Sequence, residues 1–123
     1  MRSILLVSHG SKAPKAREEI EALATLLKKR SGVAIVLPAF LEIEPPDISK
    51  GIHQCVQKGA TEITILLNFL NSGRHAADDI PKIIRQAGKD HPGVKFRMTK
   101  PIGQKDHLVD IFLKLLDDPT DVV

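Results

Sequence analysis

The chain has 123 residues, a formal charge of +3, 42% apolar and only 3% aromatic residues. That length suits one domain with its own core. A chain whose only aromatics are four Phe is a poor candidate for stacking on single-stranded nucleic acid. Its basic residues are scattered rather than clustered, so no nucleic-acid stripe emerges either. No apolar run approaches membrane-spanning length, and no charged-then-apolar leader opens the chain. Cys55 is the single cysteine; it excludes an internal disulfide and fits a reducing, cytoplasmic setting.

Four repeats of strand then helix follow from the hydrophobic pattern. The first strand is Ser3 to Ser8, within Ile4-Leu5-Leu6-Val7-Ser8-His9-Gly10-Ser11. Ser11 is a candidate cap for a helix to about Arg30, whose Ala13, Ala16, Ile20, Leu23, Ala24 and Leu27 recur at helical spacing. Gly32 ends it. The second strand runs from Val33 to Leu37 or slightly beyond, and Phe40-Leu41-Glu42 and a Pro45-Pro46 loop come after it. A second helix starts at Pro46 or Asp47, turns Ile48, Ile52, Cys55 and Val56 inward, and stops at Gly59. The third strand, Glu62 to Phe69, is a continuous apolar run, the mark of a parallel strand buried on both faces.

The loop Asn71 to Ala77 leads to a third helix with Asp78, Asp79 and Pro81 as starting residues and Ile80, Ile83, Ile84 and Ala87 inward. His91-Pro92-Gly93 makes a turn into a fourth strand, about Val94 to Thr99. A last helix, about Lys105 to Leu116, should bury Leu108, Ile111, Phe112 and Leu115, and 117–123 should be a frayed tail. Strand–helix alternation implies a single α/β domain with a four-stranded parallel sheet. The usual small doubly wound, flavodoxin-like order sets the first and third strands side by side.

In such a sheet ligands bind beyond the carboxyl ends of the strands. His9 follows the first strand and His75 follows the third, so both flank one crevice, with Glu42 beside them past the second strand. Two imidazoles and a carboxylate suit cobalt, nickel, iron or zinc, in an open site that fits transient better than structural binding. Arg74 and Lys12 suit ligand carboxylates or phosphates, and Gly10 and Ser11 bring backbone N–H groups toward an anion at a helix start. Each histidine taken singly also reads as an ordinary loop residue. His53, His91 and His107 read as surface residues.

Three segments carry a family resemblance: Ser8-His9-Gly10-Ser11, Ala39-Phe40-Leu41-Glu42, and Phe69-Leu70-x-x-Gly73-x-His75-x-x-x-Asp79-Ile80-Pro81. With Lys100-Pro101-Ile102-Gly103 they resemble the short CbiX-type sirohydrochlorin chelatases, over Ile4 to about Phe112. The resemblance implies a class II chelatase fold and insertion of a divalent metal, cobalt first and iron or nickel next, into sirohydrochlorin, an acidic tetrapyrrole. Cobalt serves cobalamin synthesis, iron siroheme and nickel coenzyme F430. It implies that His9 and His75 bind the metal and accept pyrrole protons, with Glu42 in the same site. Ser8, Gly10, Ser11, Lys12, Gly73 and Arg74 then serve the substrate. No organic cofactor is expected, the metal being a substrate, and the short form implies a homodimer. The chain departs from the family in having Asn68 where Pro is common, and in lacking a His-rich or Cys-rich tail.

Two other functions fit parts of the pattern. A metal or tetrapyrrole carrier would use the same pocket. A strand followed by His-Gly also resembles histidine phosphatases, but Ser8 stands where those enzymes carry an arginine.

Overall fold

A computed structural model describes residues 1–70 and 74–122, the side chains of 74–77 excepted. Eight elements alternate: β1 (Arg2–Ser8), α1 (Pro14–Ser31), β2 (Ile35–Phe40), α2 (Ile48–Gln57), β3 (Glu62–Leu67), α3 (Arg74–Asp90), β4 (Lys95–Met98) and α4 (Lys105–Leu116). The strands form one parallel sheet in the order β2-β1-β3-β4. Its register pairs Val7 with Ala39 on one side and with Leu67 on the other. The chain order reverses at β1, so the crevice of this fold opens beyond its carboxyl end. Pro38 lies in β2, an edge strand, where a missing N–H is tolerated.

One face of the sheet is fully covered. Leu5, Val7, Ile63 and Ile65 meet Ile48, Ile52 and Cys55 from α2 and Ile80 and Ala87 from α3. Asp47 caps α2 by accepting the Lys50 N–H at 2.8 Å, one of the orphan donors of a helix start. Gly51 lets α2 lie close against the strands. A Cβ there would stand 2.8 Å from a Leu5 methyl and 2.9 Å from the Ala39 Cβ.

The other face is covered mainly by α1, through Ala24, Ile20 and Leu27 over Leu6 and Val36. Gly32, at φ 72°, closes α1 in the left-handed conformation and donates its N–H to the Lys28 carbonyl at 3.1 Å. Beyond α1 this face thins. Thr64 and Leu66 are only half-buried, while Ile63, Ile65 and Leu67 are buried. The third strand is thus buried on one face and half-covered on the other, rather than enclosed on both.

Three of the helix expectations change. Helix α1 begins at Pro14, with no side-chain cap; Ser11 instead accepts the Ala13 N–H two residues on. Helix α3 starts at Arg74, four residues before Asp78, so Pro81 lies inside it. An interior proline costs a helix about 3 kcal/mol. The stripe of Ile80, buried outright, with half-buried Ile83 and Ile84 and buried Ala87, offsets that cost by covering the sheet. Helix α4 forms where expected but buries none of its side chains. Ile111, Phe112 and Leu115 are exposed and Leu108 is half-buried. Helical periodicity reports that an apolar stripe exists, not that the chain's own sheet covers it. Strand boundaries differ by one to three residues, β2 most, since it reaches Phe40. Among the described residues no helix is long and apolar enough to cross a membrane.

Two outcomes follow from this packing. Gly51→Val should overfill the contact between α2 and the strands and lower unfolding stability by about 1–3 kcal/mol; an unchanged denaturation midpoint would contradict the packing. Burial pushes the Cys55 thiol up, more than the Ser3 hydrogen bond and Lys58 pull it down. Less thiolate is therefore present at any given pH, so Cys55 should resist a thiol reagent at pH 8 in the native chain and react fully in denaturant. Equal rates in both states would show that the thiol is accessible.

Candidate active site

The exits of β1 and β2 stay joined past the ends of the strands. The Leu41 N–H donates to the Ser8 carbonyl at 2.9 Å and the Glu42 N–H to the His9 carbonyl at 3.1 Å. Gly10 makes this approach possible. Its φ is +106°, and a Cβ would overlap the Glu42 carbonyl oxygen, so both the conformation and the space demand glycine.

This backbone seam brings the His9 Nε2 to 3.0 Å from the Glu42 Oε1. The two side chains are 61% and 59% exposed. The exit of β3 supports them from the other side. The Phe69 ring meets the His9 imidazole edge-on, centroids 6.1 Å apart and planes at 89°. Asn68 donates from Nδ2 to the Ser8 hydroxyl at 3.0 Å, a bond that a proline side chain could not make. His9, Leu41, Glu42 and Asp79 line an open cleft of about 290 Å³.

Of the expected site, the structure thus brings His9 and Glu42 together. Gly73 and the side chains of Arg74 and His75 lie outside the described residues. Helix α3 does begin at Arg74, directly after the β3 exit. Ser8, Gly10 and Ser11 line a separate hollow of about 170 Å³ beside α1, with Phe40 and Glu44 among its walls. The Ser11 N–H, expected to face an anion, is already taken by the Glu44 carboxylate at 2.7 Å. Lys12 is exposed. His53 and His107 are exposed and His91 is half-buried; none of the three lines the cleft.

Two contributions escaped the sequence reading. Asp79 looked like a helix-start carboxylate, because the start of α3 was placed too late. Its recurrence four residues after His75 was the available signal. Glu44 looked like a polar loop residue, and its side chain is only 12% exposed. Nothing local in Glu42-Ile43-Glu44 tells which acid turns in and which turns out.

Chemically, the cleft holds one imidazole and one carboxylate at hydrogen-bond distance in an open, half-wet setting. Such a pair ligates a divalent cation through nitrogen and oxygen or passes a proton. Among the described residues no three His, Cys, Asp or Glu side chains converge on one metal position.

Known proteins agree with this architecture. A chloroplastic sirohydrochlorin ferrochelatase from Arabidopsis thaliana is 33% identical over 108 residues, 88% of this chain and 48% of that protein. The sirohydrochlorin chelatase SirB from Bacillus subtilis subspecies spizizenii, solved in complex with cobalt, superposes with a TM-score of 0.81 at 32% identity, over 95% of this chain and 50% of that one. A CbiX protein from Marinobacter aquaeolei VT8 superposes with a TM-score of 0.76 at 26% identity, over 95% of both chains. The chain spans about half the length of several curated relatives and nearly all of others. Both ferrochelatases and cobaltochelatases are among them. The CbiX family model matches residues 3–118, and with the shared fold this makes the chain a member of the CbiX family.

Proposed function

We propose that the chain inserts a divalent metal into sirohydrochlorin, with cobalt as the first candidate cation and iron and nickel as the others. The observation that carries this is the His9–Glu42 pair, 3.0 Å apart at an open cleft on the carboxyl edge of the sheet. Relatives named for metal insertion into sirohydrochlorin support it. Metallation strips water from the cation and removes two pyrrole protons. A neutral imidazole does both kinds of work. With its Nε2–H donating to Glu42, His9 presents Nδ1 to the cation, and the carboxylate fixes the ring's tautomer and orientation.

His75 is assigned the partner role. It lies four residues before Asp79 in α3. An open site with few ligands suits a cation that must be passed on. Lys12 and Arg74 are assigned to the substrate's carboxylates, helped by the net charge of +3, with Ser8, Gly10, Ser11 and Gly73 shaping the loops around the macrocycle.

The working unit in this proposal is a two-fold homodimer. Val109, Phe112, Leu113 and Leu116 stand exposed on α4, and a second copy would cover that stripe.

The absorbance change of sirohydrochlorin on metal addition, corrected for the spontaneous reaction, tests the assignments. His9→Ala and His75→Ala should each slow insertion by about 100-fold or more. Glu42→Gln should slow it less, because an amide oxygen still accepts the imidazole N–H. His53→Ala, His91→Ala and His107→Ala should leave the rate unchanged. Wild-type rates in both single variants and in the His9/His75 double variant would remove these residues from the mechanism.

Light scattering should give a dimer mass. Phe112→Glu with Leu116→Glu should give a folded monomer, whereas a wild-type monomer that retains activity would contradict the assembly.

A further inference from the structure

The exposed His9–Glu42 pair does not hold its own geometry. Solvent-exposed ion pairs contribute little, because they are screened and ordering two side chains opposes them. The 3.0 Å separation is therefore imposed by the backbone on either side, and the backbone after Glu42 is under strain. Ile43 adopts φ +74°, a left-handed conformation that a β-branched residue seldom takes. Such a conformation persists only where the surroundings over-determine it.

The surroundings are supplied by Glu44 and Arg17. The Glu44 carboxylate is only 12% exposed. Its Oε2 accepts the Ser11 N–H at 2.7 Å, and its Oε1 lies 3.7 Å from the Arg17 Nη1. The same Arg17 Nη1 donates to the Pro45 carbonyl at 2.7 Å. The guanidinium rests over the Phe40 ring, 5.5 Å from its centroid, in cation–π range. Arg17 also bonds Glu21 one turn on, which fixes it to α1. Loop 42–45 is thus tied at two points to the His9-Gly10-Ser11 turn, through the Glu42 N–H on the His9 carbonyl and the Ser11 N–H on Glu44, and at two points to α1.

Taking the cleft as the metal-insertion site, we propose that Glu44 and Arg17 are positioning residues for that reaction. They form a carboxylate–guanidinium clamp that touches neither metal nor tetrapyrrole and acts by holding Glu42 within hydrogen-bond reach of His9. The two acids of Glu42-Ile43-Glu44 then divide the work: Glu42 faces the cleft and Glu44 anchors the loop. The strained Ile43 between them turns the two side chains to opposite sides of the chain.

A residue that acts only through Glu42 has a signature that loss of fold does not share. In the full chain, Glu44→Ala should lower the rate constant for metal insertion by about tenfold, with the KM for sirohydrochlorin within about twofold of wild type. Placed on a Glu42→Ala background it should change the rate by less than about twofold. Glu44→Gln, which still accepts the Ser11 N–H, should recover part of the loss. Arg17→Met keeps the stem on Phe40 without the charge. It should give a smaller loss that also vanishes in the Glu42→Ala background, and it serves as the test if Glu44→Ala does not fold.

Imidazole nitrogen NMR of the labelled chain gives a second readout, independent of turnover. Glu42→Ala should shift the His9 resonances in the wild type and not in Glu44→Ala or, failing that variant, in Arg17→Met. The clamp is overturned if the losses persist undiminished without Glu42, or if Glu42→Ala shifts His9 equally with the clamp intact and broken. A wild type that inserts no metal overturns the metal-insertion proposal, and the NMR comparison then decides whether the clamp holds the pair.

Discussion

Everything at the carboxyl edge of this sheet depends on one close approach, the Gly10 backbone against the Glu42 carbonyl. No residue with a side chain fits at Gly10. Because the two backbones touch there, the β1 and β2 exits continue their pairing beyond the strands, through Leu41 to Ser8 and Glu42 to His9. The histidine and the acid are then carried to within 3.0 Å of each other. The start of α1 follows from the same contact. The turn through Ser11 is held by Glu44, and the helix does not begin until Pro14.

The magnitudes divide the molecule into a scaffold and a site. An exposed pair such as His9–Glu42 is worth at most about 1 kcal/mol, even when both groups are charged. Burying one Leu or Ile side chain is worth about 1.5–3 kcal/mol, and Leu5, Val7, Ile52, Ile63, Ile65 and Ile80 are all fully buried in the core beneath the sheet. The core can therefore hold the reactive side chains in an arrangement they would not choose themselves. That suits the proposed transfer of a cation, with the two side chains fixed in place while their own mutual attraction stays weak. Relatives are solved or named with cobalt and with iron, and nitrogen and oxygen donors of the proposed kind are not selective by themselves.

The sequence carried the architecture well because its signals were simple. Apolar runs such as Ile4 to Val7 and Ile63 to Leu67 have few alternatives, and alternation with helices leaves a parallel sheet. The carboxyl-edge positions of His9 and Glu42 followed from strand ends alone. What stayed hidden depended on tertiary context. The start of α3 was placed at Asp78 because Pro81 is a strong start signal, yet burial of Ile80 and Ala87 carries the helix through that proline. The Phe112 side of α4 was read as core, but periodicity cannot say which surface receives an apolar stripe. Glu44 was invisible because only the fold reveals that the Ser11 N–H and Arg17 meet beside it.

A chelatase and a carrier would use the same cleft, and they differ in turnover. The most direct measurement is the amount of metallated sirohydrochlorin formed when the chain is present at about one-hundredth of the substrate concentration, with free divalent cobalt and the spontaneous rate subtracted. The account predicts continued product formation at a constant rate, many metallated macrocycles for each chain. A single burst that stops at one metal per chain would contradict it and leave the cleft as a binding site without catalysis.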